Sequence, residues 1–208
     1  MVARNAAVLL AALAGFSLLH SLLAGRGLKP WLAARLDERA VEGWYRLAYN
    51  LFAALTLLPA AVAYLALPDR ALYSVGMPWA ALLRAIQIIG LVGIVGALFV
   101  TDVWSFLGVR QAAAYLRGEP LPLPAEPLQV GGMYRYVRHP LYFFSLLVIW
   151  PNPRMTLNLL LVNIALTLYI LFGSIVEERR LVRQFGDAYR AYQHRVSWLI
   201  PLPPRSSS

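Results

Sequence analysis

Five apolar runs dominate this chain and leave few folds open to it. Ala6 to Ala24 is the first, and a second begins at Trp44-Tyr45 and ends near Leu67 before Pro68-Asp69-Arg70. A third opens at Pro78, a fourth covers Pro140 to Trp150, and a fifth covers Thr156 to Val176. Most are long enough, at about 1.5 Å per residue, to cross a hydrocarbon layer of about 30 Å. A soluble domain of 208 residues cannot bury that much apolar surface, and 60% hydrophobic against 14% charged residues places the chain with polytopic membrane proteins. The expected fold class is all-α: about five transmembrane helices with a cytosolic amphipathic C-terminal helix, forming one membrane domain over 1–208. Within it, 1–131 forms an N-terminal three-helix part and 132–201 a core. Met1 to Ala24 imitates a secretory signal, but the further spans make it a retained first helix.

The fourth run is the odd one. Eleven residues give only about 16 Å of helix, too short to cross alone. Pro140 suits a first helical position and disfavours helix at His139, so a helix should start there. Either helix continues back through Tyr134 with a kink, or the fourth and fifth runs form a hairpin around Pro151-Asn152-Pro153 in a protein-lined zone. Gly90, Gly93 and Gly96 put a small-residue face on the third span for another helix to approach. The prolines between Arg117 and Pro127 predict an irregular loop, and the basic loop of Arg26, Lys29, Arg35 and Arg39 a short interfacial helix. After Val176, Leu181, Phe185, Tyr189, Tyr192 and Val196 recur at amphipathic spacing, with Gly186 as a bend and Arg205 to Ser208 as a frayed end.

The net charge of +9 is almost all arginine, since Lys29 is the one lysine. The charges gather beside apolar runs instead of forming a nucleic-acid patch. If all five runs cross, Arg4, Arg70, Arg84 and Arg154 lie on one side and the other 15 of the 19 basic residues on the opposite side. That asymmetry predicts a multi-pass protein of a bacterial inner membrane, amino terminus outside, with the arginine-rich stretch and the carboxyl tail in the cytoplasm. No cysteine is present, which excludes disulfides, a thiolate nucleophile and cysteine-based zinc sites, and three histidines make a metal centre a poor expectation.

The chemistry concentrates in two blocks. Gly132 to Tyr142 packs Tyr134, Arg135, Tyr136, Arg138, His139 and Tyr142 around Pro140, and some forty residues later come Glu177-Glu178 and then Tyr189 and Tyr192. Such groups are costly beside a membrane unless they meet something anionic or aromatic. A zwitterionic ligand with a planar ring, a ribose, a carboxylate and a cationic centre would use them all, and S-adenosylmethionine is such a molecule. Arg138 or Arg135 can take the carboxylate through a bidentate fork; Glu177 or Glu178 can accept from the ammonium or the ribose. Tyr134, Tyr142 or Tyr189 can face the sulfonium or the adenine. In-line methyl transfer needs no protein nucleophile, only alignment, exclusion of water and, where required, a proton acceptor. His139 or a glutamate can fill that role, or the acceptor arrives ionised.

Each element has a plainer use. Arginines at span ends snorkel, tyrosines form interface belts, and glutamates pair with Arg179 to Arg183. His20 reads as a hydrogen-bonding residue between helices, and Asp102 with Arg110-Gln111 as either an interfacial pair or part of a pocket wall. The two carboxylates resist the plain reading best, because neither the helix dipole nor anionic lipid favours them at that end.

At Gly132-x-Tyr134, Val137-Arg138-His139-Pro140-x-Tyr142, Glu177-Glu178-x-x-Leu181 and Phe185-Gly186-x-x-Tyr189-x-x-Tyr192, the chain resembles a superfamily of membrane methyltransferases. It includes the isoprenylcysteine carboxyl methyltransferases and the phospholipid methyltransferases. The resemblance covers roughly the last third. It implies a donor pocket for S-adenosylmethionine between the last two helices and the tail, with Tyr134, Arg138, His139, Pro140, Tyr142, Glu177, Glu178, Tyr189 and Tyr192 around it. Arg138, His139 and Glu178 are the implied catalytic set. A narrower resemblance, to the methanethiol S-methyltransferase branch and more loosely to NnrU-type membrane proteins, runs through His20 to Ala24, Leu107 to Gln111, Asn152 to Thr156 and Tyr169 to Gly173. It implies a small or lipophilic thiol as acceptor and the lipid bilayer as the other partner, with no nucleic acid and no metal. The same chemistry on an isoprenylcysteine carboxylate or a phospholipid amine, and a non-catalytic NnrU-like protein, are the alternatives. Phe143 and Phe144 stand where many members of the superfamily have glycine, which implies a narrowed or remodelled acceptor route.

Overall fold

A computed structural model describes residues 2–25, 27–124 and 126–202. Arg26 of the basic loop and the Arg205 to Ser208 end lie outside them. In chain order the elements are α1 (Val2–Ala24), α2 (Leu28–Ala33), α3 (Glu38–Ala66), β1 (Ala71–Ser74), α4 (Trp79–Val100), α5 (Val103–Leu107) and α6 (Val109–Leu116). A 3-10 turn (Gly132–Arg135) follows, then α7 (Pro140–Ile149), β2 (Arg154–Thr156), α8 (Leu157–Phe185) and α9 (Asp187–Arg195). Among the described residues four helices are long and apolar enough to cross a membrane: Arg4–Ala24, Glu38–Ala66, Trp79–Val100 and Leu157–Phe185. Helix α7 is shorter, and the chain is an all-α polytopic membrane protein with one small two-stranded sheet.

The chain forms two compact units. The first spans Met1–Asp69 and Thr101–Ala125. Helix α3 begins six residues ahead of the Trp44 expected from the sequence, because Asp37 caps it by accepting from the backbone N–H groups of Arg39 and Ala40. Helices α1 and α3 are tied by the Tyr49 hydroxyl, 2.6 Å from Nε2 of His20, and by Tyr45 donating to the Leu23 carbonyl. His20 is thus a helix-packing hydrogen bonder, as its place on an apolar helix suggests. Gly43 admits the Tyr115 side chain of α6, since a Cβ there would lie 2.6 Å from that of Tyr115. Asp102 caps α5 and pairs with Nε of Arg110 at 2.8 Å.

The second unit spans Arg70–Val100 and Glu126–Ser208. Helix α4 belongs here, packed antiparallel on α7, and the glycine stripe is the reason. Gly90 lies under Val148, Gly93 under the Phe144 ring and Gly96 under Met133. The aromatic at 144 therefore fills the groove left by Gly93. It is a packing residue between α4 and α7.

Helix α7 starts at Pro140, as expected, but does not extend back through Tyr134; a 3-10 turn occupies Gly132–Arg135. It stops after ten residues. Its freed carbonyls are satisfied by amide side chains: Gln87 of α4 donates to Val148 at 2.9 Å, and Asn152 and Asn163 both donate to Ile149. Asn163 is 1% exposed, so this polar group is spent entirely inside the protein. Beyond α7, Trp150 donates to Thr167 of α8, and the chain reaches β2, which pairs antiparallel with β1. The segment 139–156 thus runs beside α8 from Glu178 back to Leu157, first as the ten-residue α7 and then as non-helical chain ending in β2. Helix α8 continues unbroken past Val176 to Phe185, so Leu181 and Phe185 belong to it and the separate C-terminal helix is confined to Asp187–Arg195. Gly186, at φ +57, makes the bend.

Candidate active site

The two polar blocks meet at one end of the second unit. His139 ends the non-helical approach to α7, and Glu177 and Glu178 lie on α8 near its C-terminal end. Arg138 grips Glu178 through both carboxylate oxygens, Nε to Oε1 at 2.9 Å and Nη2 to Oε2 at 3.2 Å. Its Nη1 donates to the carbonyls of Gln193 (3.0 Å) and Val196 (2.6 Å). Four of the five guanidinium donors are thereby used inside the protein. Glu178 also accepts from Nε2 of His139 and from the Tyr189 hydroxyl, both at 2.8 Å, and from the Gln193 amide.

Around this core the tail is stitched down. Tyr192 donates to the Tyr134 carbonyl at 2.6 Å, and Arg138 donates its backbone N–H to Ser197, where Val137 and Ser197 form a parallel bridge. Tyr189 and Tyr192 are 1% and 3% exposed. They are inward-facing supports of α9, with burial raising both phenols well above their ordinary value and, at Tyr189, the Glu178 hydrogen bond adding to it.

Glu177 has another setting. Its carboxylate is one-third exposed and lies 3.6 Å from Nδ1 of His139 and 3.6 Å from Arg180. Tyr142 stacks on the His139 ring, and its hydroxyl passes Gly173 of α8 and hydrogen-bonds the Glu177 carboxylate. Burial, with the Glu177 charge beside it, pushes the Tyr134 phenol up to about 12, so it stays neutral. Burial acts to lower the His139 pKa, but the two carboxylates outweigh it and raise it above 6.5. The ring lies between the two carboxylates, which favour its protonated form. Arg135, in the 3-10 turn that precedes this group in the chain, is exposed.

All nine residues expected from the sequence thus gather here, with Pro140 buried as the first residue of α7. Gln193 and the carbonyls of Val196 and Ser197 were missed. Gln193 follows Tyr189 by four residues, so the helical spacing could have found it; the backbone acceptors carry no residue signature. Among the described residues no cluster of histidine and acidic side chains is arranged to hold a metal ion.

Fold and site together define a polytopic helical membrane protein with a charged, tyrosine-lined site at the junction of a short helix, a long helix and the tail. The chain belongs to the family described as protein of unknown function DUF1295, which it matches over residues 39–196. It is 33% identical over 187 residues to methanethiol S-methyltransferase 1 of Bradyrhizobium diazoefficiens, covering 89% of this chain and 63% of that protein. It is 32% identical over 191 residues to methanethiol S-methyltransferase of Mycobacterium tuberculosis, covering 91% and 75%. With the enzyme of that name from Pseudomonas deceptionensis it shares 38% over 109 residues, 50% of this chain and 39% of that one. The chain therefore spans less than two thirds of the first of these relatives. No solved structure gives a significant match.

Proposed function

We propose that the chain is an S-adenosylmethionine-dependent membrane methyltransferase whose acceptor is a small thiol of the methanethiol type. The observation that carries the reading is the meeting of the Arg138-His139 and Glu177-Glu178 blocks, in a chain whose relatives bear the methanethiol S-methyltransferase name.

The residues present fit the donor. Glu177, which already meets His139, Arg180 and Tyr142, keeps acceptor capacity for an ammonium or ribose hydroxyl, while neutral Tyr134 offers a face for a cation and the Tyr142–His139 stack one for an adenine. Of the two arginines that the sequence offered for the carboxylate, Arg135 has its fork free for it, since the donors of Arg138 are engaged on Glu178 and the tail. Bound S-adenosylmethionine supplies the activated methyl group. The chain's part is to hold and orient the donor, keep water out and leave an acceptor carboxylate at hand. His139, hydrogen-bonded to Glu178 and beside Glu177, orients the carboxylates; a thiol proton goes to Glu177, or the thiol arrives as thiolate. The arginine distribution supports a bacterial inner-membrane protein with its amino terminus outside and this site and the tail in the cytoplasm.

The test supplies purified protein with methyl-labelled S-adenosylmethionine and, separately, methanethiol, a farnesylcysteine analogue and phosphatidylethanolamine. Label in dimethyl sulfide alone supports the reading. Label in either of the other two moves the acceptor assignment, and no label in any of them favours the non-catalytic alternative.

A further inference from the structure

Adjacent residues on an α-helix diverge by about 100°, so neighbours of the same type cannot do the same work. On α8, Ile170 and Ser174 are buried at four-residue spacing, and Glu178 continues that row inward. Gly173 and Glu177 form the next row, where the Tyr142 hydroxyl lies. The side chains of Arg138 and Glu178 are 11% and 12% exposed, while that of Glu177 is 33% exposed.

Glu178 is saturated. Its two oxygens take five donors from Arg138, His139, Tyr189 and Gln193, which leaves no lone pair for a ligand. Three of these four residues hold the tail: Tyr189 and Gln193 belong to α9, and Arg138 spans to the Gln193, Val196 and Ser197 carbonyls through its side chain and backbone. Gln193 is bound in both directions, its amide on Glu178 and its carbonyl on Arg138.

We propose that Arg138, Glu178 and Gln193 are positioning residues, forming a clamp that fixes the segment 187–202 against the start of α7. Glu177, one position along, is then the carboxylate that meets the bound donor. The assignment rests on the function proposed above. It splits the glutamate pair into one that builds the site and one that faces into it, and it makes donor affinity depend on whether the tail is docked.

The full-length chain in detergent tests this with two readouts: S-adenosylhomocysteine affinity by calorimetry, and the rate of tryptic cleavage after Arg190 and Arg195, which are exposed on α9. If the clamp sets a docked population, Glu178→Gln and Gln193→Glu should cleave about tenfold faster and bind about tenfold more weakly, and saturating ligand should slow cleavage again. Glu177→Gln should cleave at the wild-type rate yet lose about tenfold or more in affinity. Should Gln193→Glu not fold, Gln193→Ala gives the same ordering with a smaller rise. Loss of affinity in Glu178→Gln with cleavage unchanged overturns the proposal, as does a loosened tail in Glu177→Gln. If even the wild type binds no S-adenosylhomocysteine, the proposed function fails, while the cleavage rates still decide the clamp.

Discussion

Arg138 and Glu178, forty positions apart in sequence, are joined by a bidentate ion pair with contacts of 2.9 and 3.2 Å, almost entirely shielded from solvent. Removing one partner of such a pair strands a charge, which costs about 3–5 kcal/mol. Glu178→Ala should therefore lower the unfolding temperature in detergent strongly. Glu177→Ala, on a carboxylate that is one-third exposed, should lower it little. Comparable melting of the two variants would mean the pair contributes nothing special.

His139 gives the site a pH dependence of known sign. Its folded-state pKa lies above 6.5, so the protonated ring stabilises the fold most at pH below 6.5, and that contribution fades as pH rises through the folded-state value. The difference in unfolding temperature between wild type and His139→Gln should be largest near pH 6 and shrink towards pH 9. A difference that grows with pH would show a ring held neutral.

The contact of Gly93 with the Phe144 ring predicts that Gly93→Leu overpacks the α4–α7 seam and costs about 1–3 kcal/mol. Phe144→Ala on top of it should recover part of the loss. Gly15→Leu, where a Cβ meets nothing within 4 Å, is the control and should leave unfolding unchanged.

Asn163 shares with Asn152 the Ile149 carbonyl freed at the end of α7, donating to it from a fully buried position. Asn163→Leu should lower stability by about 1–2 kcal/mol. Unfolding in detergent measures it, and no change would mean that Asn152 suffices alone.

The sequence made parts of this visible for physical reasons. Polar groups stand out against apolar runs, so the arginine-tyrosine block and the glutamates were found, and Pro140 marked the start of α7. Gly90, Gly93 and Gly96 announce a close helix contact, but nothing on α4 says that α7 is the partner or that the Phe144 ring fills the groove over Gly93. The strands β1 and β2 are four and three residues long beside prolines, too short for an alternating pattern to register. The different settings of Glu177 and Glu178 were out of reach as well. Both are glutamates at adjacent positions, and the donors from Arg138, Tyr189 and Gln193 set Glu178 apart.

The account stands on a zwitterionic nucleoside bound beside Glu177. Isothermal titration of the purified chain with S-adenosylhomocysteine measures this directly. The account predicts saturable one-to-one binding by the wild type and at least about a tenfold loss in Glu177→Gln at unchanged unfolding temperature. A folded wild type that gives no binding heat over a range of temperatures, or a Glu177→Gln variant that binds as well as wild type, would contradict it.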